Sequence, residues 1–192
     1  MVLALLTWQV AAHGPLRATD EHAGAALRGH APATAFAELL ADLGNMAVAL
    51  PLLAAALAYA GRRTRRWLLP AAYALAMAAV PVLVSLLKLW IDRPGPLGGT
   101  GYYPSGHAAT AAVAFGGAAL ALAHGVLDRV RARIAWAAST VLTALNGIGL
   151  VWRGYHWPLD VLASWCLGWL LLVAATAVVR RAHRRTTTRR QS

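Results

Sequence analysis

Long apolar runs separated by short polar segments dominate this chain. Five runs are long enough to cross roughly 30 Å of hydrocarbon as helices, and they lie at about 36–60, 67–87, 107–127, 134–152 and 159–179. A shorter apolar run occupies residues 2–12, and a polar segment with glycine and proline follows at 13–35. The pattern predicts an all-α, polytopic membrane helix bundle with a loop at 13–35.

The short run at residues 2–12 has three interpretations. It is a re-entrant or interfacial segment, a cleavable targeting sequence, or a membrane span whose beginning lies outside this sequence. It lacks the basic start and the small-residue cleavage pattern of a secretion signal. We therefore favour a truncated first span, which joins the five clear transmembrane helices.

Composition supports an integral membrane protein. Of the 192 residues, 59% are hydrophobic and 13% are charged, and the mean hydropathy is +0.53. A chain of this composition is too apolar for an ordinary soluble domain. The length fits a single integral membrane domain, which we assign to residues 1–192. The lone Cys166 excludes a disulfide within the chain.

Positive charge is concentrated in three segments. The net charge is +11, and thirteen of the eighteen basic residues lie at 61–66, 128–133 and 180–190. If the spans alternate in direction, these segments share one side, which the positive-inside rule makes cytoplasmic. We therefore predict a protein of the cell membrane with a basic cytoplasmic tail at 180–192. This placement explains the charge as a topology signal and argues against a nucleic-acid partner.

The segment Pro104-Ser105-Gly106-His107 stands at the outer edge of an apolar run, where polar side chains are costly unless they have a function. Ser105 is suited to cap the next helix, and Gly106 lets a ligand approach the backbone closely. A helix N-terminus offers free N–H groups and a partial positive charge, which together bind anions. We expect His107, in the first turn, to point at such an anion.

A second segment, residues 153–160, again places a histidine next to the beginning of a helix, about fifty residues later. Pro158 suits the first position of a helix, which places His156 just before the helix and Asp160 in its first turn. Asp160 could then accept a hydrogen bond from one ring nitrogen of His156 and make the other nitrogen a better nucleophile. Two histidines, an aspartate and nearby basic residues supply the nucleophile, the acid and the anion ligands of metal-free phosphoryl transfer.

These residues resemble the motifs of the type 2 phosphatidic acid phosphatases, a branch of the lipid phosphate phosphatase and vanadium haloperoxidase superfamily. That family carries K-x₆-R-P, P-S-G-H and S-R-x₅-H-x₃-D at the outer ends of a six-helix membrane bundle. The second motif is complete at 104–107, and the H-x₃-D half of the third is present as His156 and Asp160. Lys88 fits the start of the first motif and Pro96 its end. The similarity covers roughly residues 36–180.

Both arginines of these motifs are absent from their usual positions. Gly95 stands where the first motif has its arginine, and Leu150, preceded by Gly149 instead of serine, stands where the third has its own. Arg93 lies two residues before Gly95, and Arg153 lies three residues after Leu150, nearly one helical turn away. We expect Arg93 and Arg153 to replace the missing arginines. The alternative is a weakened pocket, with Arg153 as an interfacial anchor and Arg93 as a loop charge.

The resemblance implies a reaction in which His156 attacks phosphorus, Asp160 orients His156 and His107 protonates the leaving oxygen. Water then hydrolyses the phosphohistidine. The resemblance also implies that basic and backbone groups hold the substrate phosphate, namely Lys88, Arg93, Ser105, Gly106 and Arg153.

An outward-facing site at membrane level predicts a membrane lipid substrate, such as phosphatidate, phosphatidylglycerol phosphate or a polyprenyl diphosphate, with phosphate as a product. We expect no metal or organic cofactor, and His13, His22 and His30 are spaced too widely for a metal motif. Two alternatives remain open. One is a lipid phosphotransferase on the same scaffold, and the other is a non-catalytic membrane protein that binds anionic lipid.

Overall fold

The computed structural model describes residues 1–188, with side chains up to residue 182. Residues 189–192 of the predicted basic tail lie outside the described residues. Every element in the described part is helical, which confirms the predicted all-α class. The helices are α1 (Val2–Ala11), α2 (Pro15–Gly29), α3 (Thr34–Ala41), α4 (Met46–Thr64), α5 (Leu68–Ile91), α6 (Gly106–Ala123), α7 (Arg129–Trp152) and α8 (Pro158–Thr188), with a 3₁₀ turn at Asp42–Gly44.

Five of these helices are long and apolar enough to cross a membrane, namely α4, α5, α6, α7 and the Pro158–Ala182 part of α8. They correspond to the five predicted spans. The predicted span at 36–60 is wrong at its beginning, because the 3₁₀ turn separates α3 from α4. The side chain of Asn45 starts the new helix by accepting a hydrogen bond from the backbone N–H of Ala47 at 3.0 Å.

The predicted loop at 13–35 is also wrong, because α2 occupies most of it. Pro15 suits the first position of a helix, and Arg17 and Glu21, one turn apart, form an ion pair with an Nε–Oε1 distance of 2.8 Å. The buried residues of α2 are Asp20 and Gly24, and the helix packs against α7 and α8. A polar helix therefore lies across one end of the bundle.

The helix α1 packs against α8. It has ten residues and is therefore about 15 Å long, less than the hydrocarbon thickness. Its Val10 is buried in a cluster with Tyr103 and Leu159, and Oγ1 of Thr7 lies 2.8 Å from the hydroxyl of Tyr103. The helix α1 therefore supports the chain just before Pro104. That it is the end of a longer span stays a prediction.

The helix α6 is the centre of the bundle. Of its most apolar 18-residue window, 67% is buried, and it packs against α4, α5, α7 and α8. Small residues permit this close packing, since a side chain added at Gly116 would meet Cδ1 of Leu172 at 2.7 Å. The N-terminus of α6 is thus surrounded by the ends of the other spans.

The spans alternate in direction, so the bundle has two distinct ends. The P-S-G-H and H-x₃-D segments lie at the end where α6 and α8 begin. At the other end, a cavity of about 560 Å³ is lined by residues of the α4–α5 link, the α6–α7 link and α8, including Arg66, His124 and Arg180. The described parts of the basic segments therefore share one end, as the alternation predicts. The side of the membrane that this end faces stays a prediction.

Candidate active site

His156 and Asp160 meet at the beginning of α8. The helix begins at Pro158, and Nδ1 of His156 lies 3.4 Å from Oδ2 of Asp160. The same carboxylate oxygen accepts a hydrogen bond from the backbone N–H of Trp157 at 3.0 Å. His156 is 8% exposed and Asp160 is fully buried. A proton held on Nδ1 would leave a lone pair on Nε2, which is the state that a nucleophilic histidine needs.

The other oxygen of Asp160 binds Arg93. In the loop after α5, Nη1 of Arg93 donates to Oδ1 of Asp160 at 2.6 Å, and Nη2 donates to Oδ2 of Asp20 at 2.7 Å. Glu21 is a third carboxylate, 3.4 Å from Nη2. The guanidinium is buried and lies over the ring of Trp157, 5.7 Å from its centroid. Carboxylates hold both terminal nitrogens of Arg93, whereas its buried Nε has no hydrogen-bond partner among the described residues. Its role as a phosphate ligand stays a prediction.

Ser105 caps α6, as predicted, and the α6 N-terminus is tied to α8. The Oγ atom of Ser105 accepts a hydrogen bond from the N–H of Ala108 at 3.2 Å, and the N–H of Ser105 donates to the carbonyl of Asp160 at 3.2 Å. The hydroxyl of Ser164 lies 2.8 Å from the carbonyl of Ser105 and 2.6 Å from that of Asp160. Two helix N-termini therefore lie side by side, and both direct partial positive charge to this region.

His107 and Lys88 reach the same region from α6 and α5. The side chain of His107 is exposed and interacts electrostatically with His156. Lys88, in the last turn of α5, donates from Nζ to the carbonyl of Gly101 at 2.7 Å and also interacts electrostatically with His107. A side chain added at Gly106 would meet its nearest neighbour beyond its own helix at 3.8 Å, so the backbone there is open to a ligand.

Arg153, just after α7, is held by Glu38 of α3. Its Nε donates to Oε2 of Glu38, and Nη2 donates to the hydroxyl of Tyr155 at 3.3 Å. The hydroxyl in turn donates to Oε1 of Glu38 at 3.0 Å, and Glu38 interacts electrostatically with His107. The hydrogen bonds from Arg153 and Tyr155 hold the pKa of Glu38 below its usual range. Unlike Arg93, Arg153 is partly exposed. Its role as a phosphate ligand also stays a prediction.

Leu150 and Gly149, at the vacant motif positions, pack against other helices. Leu150 is 1% exposed and belongs to an apolar cluster with Ala41 and Ala108. A side chain added at Gly149 would meet the backbone nitrogen of Ala41 at 2.4 Å. In this chain the two positions therefore serve the packing of α3 and α6 against α7.

The arrangement suits attack on a phosphate. A histidine with a carboxylate partner, a second histidine, a lysine and two helix N-termini surround one region, where they can neutralise charge that develops on phosphate oxygens. Within the part of the chain that the structure describes, no group of three His, Cys, Asp or Glu residues could hold a metal ion.

Comparison with known proteins assigns the family. The PAP2 superfamily model matches residues 69–184. The chain belongs to the PAP2 superfamily. The crystal structure of a transmembrane PAP2-type phosphatidylglycerolphosphate phosphatase from Bacillus subtilis is similar at a TM-score of 0.82 and 23% identity, covering 94% of this chain and 95% of that one. Aquifex aeolicus LpxE is similar at a TM-score of 0.63 and 22% identity, covering 81% of this chain and 93% of that one. No curated protein sequence matches.

The PAP2 match includes the motif residues and excludes some of the carboxylates that hold the two arginines. Lys88 and Asp160 both lie inside residues 69–184, whereas Asp20 and Glu38 lie before this range. Arg93 therefore has one carboxylate partner inside the matched segment and others before it, and the carboxylate partner of Arg153 lies before it.

Asp20 cannot be assigned to the site from the sequence alone. Pro15 and the Arg17–Glu21 spacing are signals of a helix, but they do not show which residue the buried side of that helix contacts. From the sequence alone, Glu38 is an interfacial residue or lines the cleft, and the structure places it on Arg153.

Proposed function

We propose that this PAP2 protein is a membrane phosphatase that hydrolyses a lipid phosphate or diphosphate through a phosphohistidine intermediate. The proposal rests chiefly on the His156–Asp160 pair, which lies with His107 and Lys88 beside two helix N-termini. The similar crystal structure described as a phosphatidylglycerolphosphate phosphatase supports it. The proposed substrates are phosphatidate, phosphatidylglycerol phosphate or a polyprenyl diphosphate.

In the proposed reaction, Nε2 of His156 attacks phosphorus while the proton on Nδ1 remains directed at Asp160. The bond between phosphorus and the leaving oxygen breaks, and His107 donates a proton to that oxygen. Water then attacks the phosphohistidine and gives a proton to His107, which releases phosphate and restores His156. Lys88 and the free N–H groups at the beginning of α6 stabilise the charge in the transition state. No metal or organic cofactor takes part.

The remaining predicted ligands have different proposed roles. The backbone N–H of Gly106 and the guanidinium of Arg153 complete the phosphate site, since Gly106 is open and Arg153 is partly exposed. Ser105 is fully buried and contributes by capping α6. Arg93 contributes by holding Asp160, because its guanidinium is buried between carboxylates.

The test uses the full chain in lipid nanodiscs with a panel of lipid phosphates and a metal chelator. Wild type should release phosphate and form an acid-labile phosphoenzyme. His156→Ala should lose both, with turnover reduced at least about a thousandfold because the nucleophile is gone. His124→Ala is the control, since His124 is exposed at the opposite end of the bundle, and it should behave as wild type.

Two further variants assign the roles in this reaction. His107→Ala should slow a lipid phosphate more than p-nitrophenyl phosphate, because a general acid matters most when the leaving oxygen is basic. Asp160→Asn should be milder than His156→Ala. Full activity of His156→Ala, or complete loss of activity on chelation, would falsify the mechanism, and transfer of phosphate to an acceptor lipid would identify a phosphotransferase.

A further inference from the structure

The helix α2 lies against both motif segments and brings one buried carboxylate to the site. Gly24 packs so closely that a side chain added there would meet Cε3 of Trp157 at 2.7 Å. Nη1 of Arg28 donates to the carbonyl of Pro96 at 3.2 Å. One turn before Gly24, the side chain of Asp20 is 3% exposed. Packing and hydrogen bonding therefore fix α2 in a position that buries Asp20.

A continuous series of polar contacts connects Asp20 to His156. Oδ1 of Asp20 accepts a hydrogen bond from the N–H of Leu159 at 2.8 Å, and Oδ2 binds Nη2 of Arg93 at 2.7 Å. Nη1 of Arg93 binds one oxygen of Asp160 at 2.6 Å, and the other oxygen of Asp160 faces His156 at 3.4 Å. One oxygen of Asp20 therefore fixes the first turn of α8, and the other fixes Arg93.

Through Arg93, the charge on Asp20 affects how much negative charge Asp160 presents to His156. A buried arginine paired with Asp160 alone would neutralise the carboxylate that supports His156. Asp20 shares the guanidinium, so Asp160 keeps more of its negative character. Burial raises the pKa of Asp20, and the hydrogen bond and charge of Arg93 oppose that rise. A buried ion pair is weak evidence for stability by itself, and this one includes the carboxylate that faces His156.

We propose that Asp20 is a positioning residue for the hydrolysis, holding Arg93 and the first turn of α8 so that Asp160 stays oriented and negatively charged toward His156. The effect of Asp20 on hydrolysis rests on the proposed function, whereas its contacts with Arg93 and α8 do not depend on it. Without the charge of Asp20, Asp160 takes a larger share of the attraction of Arg93, which Glu21 then shares at 3.4 Å. The protonated or phosphorylated form of His156 then loses electrostatic support.

The charged and titratable groups around the pair formed by His156 and Asp160 come from several elements. Lys88 on α5 and the loop residue Arg93 interact with Asp160, and the loop residue Tyr102 and His107 on α6 interact with His156. A substitution at Asp20 alters none of these side chains chemically, so a change in the pH profile reports the loss of Asp20 and its effect on Arg93 and Asp160.

Asp20→Asn is the main variant, because asparagine keeps the size of the side chain and the acceptor for the N–H of Leu159 while removing the charge. Glu21→Gln is the matched control, with the same change of charge on the neighbouring residue. Glu21 is 36% exposed, lies 3.4 Å from Arg93 and has Arg17 as its closer partner. Asp20→Glu keeps the charge on a longer side chain and so separates the effect of charge from that of packing.

For Asp20→Asn we expect kcat to fall about tenfold and KM to change less than about twofold. The acid limb of the kcat profile should move to lower pH by about half a unit. Glu21→Gln should move the acid limb by less than half as much as Asp20→Asn does. Asp20→Glu should keep the acid limb of wild type, even if its kcat is lower. Thermal unfolding in the same nanodiscs checks that each variant is folded at the assay temperature.

A measurement that does not depend on enzyme turnover tests the role of Asp20 separately from the proposed function. Deuterium exchange at the Cε1–H of histidines, read by peptide mass spectrometry over a range of pH, gives the midpoint of proton binding at His156, with His124 as an internal reference. The midpoint should move to lower pH in Asp20→Asn and stay in place in Asp20→Glu. An unmoved midpoint, or equal effects of Asp20→Asn and Glu21→Gln, would overturn the role of Asp20. If wild type hydrolyses no lipid phosphate, the proposed function fails and the exchange result still decides the role of Asp20.

Discussion

Arg153 and Glu38 form a contact that an incoming phosphate would have to replace. Hydrogen bonds from Arg153 and Tyr155 keep the pKa of Glu38 below its usual range, so the carboxylate stays ionised and holds Arg153 well into the acid range. Both side chains are partly exposed, and water therefore screens the pair and lowers the cost of separating it. We expect Glu38 to compete with phosphate for Arg153.

Glu38→Gln should therefore strengthen the binding of inorganic phosphate. We expect its inhibition constant to fall about threefold to tenfold, and Arg153→Ala to raise the constant by a similar factor, because a charged bidentate contact is gained or lost. The difference between wild type and Glu38→Gln should shrink as the pH falls through the lowered pKa of Glu38, since protonation then releases Arg153 in wild type as well.

Phosphate inhibition of turnover, measured over a range of pH, checks this prediction. Asp42→Asn is the matched control, because Asp42 is an exposed acid on the same segment that also interacts electrostatically with His107. It should change the inhibition constant much less than Glu38→Gln does. Equal constants in wild type, Glu38→Gln and Arg153→Ala would show that phosphate does not contact Arg153.

Sequence spacing predicts contacts between residues that are close in the chain and misses those between distant residues. His156 and Asp160 are four residues apart across the beginning of α8, so a short local segment brings them together. Asp20 lies 73 residues from Arg93, and the partner of Arg153 lies 115 residues away. These pairs depend on how α2 and α3 pack across the bundle, which a single sequence does not specify.

Among the helices, the wrong predictions lie on the N-terminal side of the bundle. The length of the apolar runs predicts α5 to α8, because each of these helices is a long apolar run that ends near glycine, proline or arginine. The length of an apolar run does not predict α2, because the buried residues of this helix, Asp20 and Gly24, do not have large apolar side chains. The length of the apolar run also fails to predict the break before α4, because Asn45 starts that helix through a local hydrogen bond.

Gly149 tests the packing of α3 against α7. A side chain added there would lie 2.4 Å from the nitrogen of Ala41 and 2.7 Å from the carbonyl carbon of Leu40, and these backbone atoms cannot rotate away. Gly149→Ala should lower the free energy of unfolding by about 1–3 kcal/mol, although alanine is the better helix former. Gly29→Ala, which meets open space at the end of α2, is the control and should not lower it. Unfolding in nanodiscs measures both, and an unchanged stability of Gly149→Ala would contradict the close approach of α3 to α7.

At the scale of the whole molecule, the proposed catalytic groups and most of the basic residues in the described part of the chain lie at opposite ends of the bundle. The histidines lie where α6 and α8 begin, and Arg66 and Arg180 lie together around the cavity at the other end. Arginine-rich links are retained on the cytoplasmic side during membrane insertion. We therefore predict that the histidine end faces the extracytoplasmic side.

Single cysteines at Thr100 and Arg63, in a Cys166→Ser background, test this orientation. Thr100 is exposed in the loop before α6, and Arg63 is exposed near the end of α4. Thr100 is preferable to the adjacent Gly99, whose φ of +78° would strain a cysteine. A membrane-impermeant thiol reagent added to intact cells should label Thr100→Cys and leave Arg63→Cys unlabelled, while both should react after lysis. The Cys166→Ser protein alone gives the background signal. Labelling of Arg63→Cys with Thr100→Cys protected would place His107 and His156 in the cytoplasm, and the substrate would then have to be a lipid phosphate of the inner leaflet.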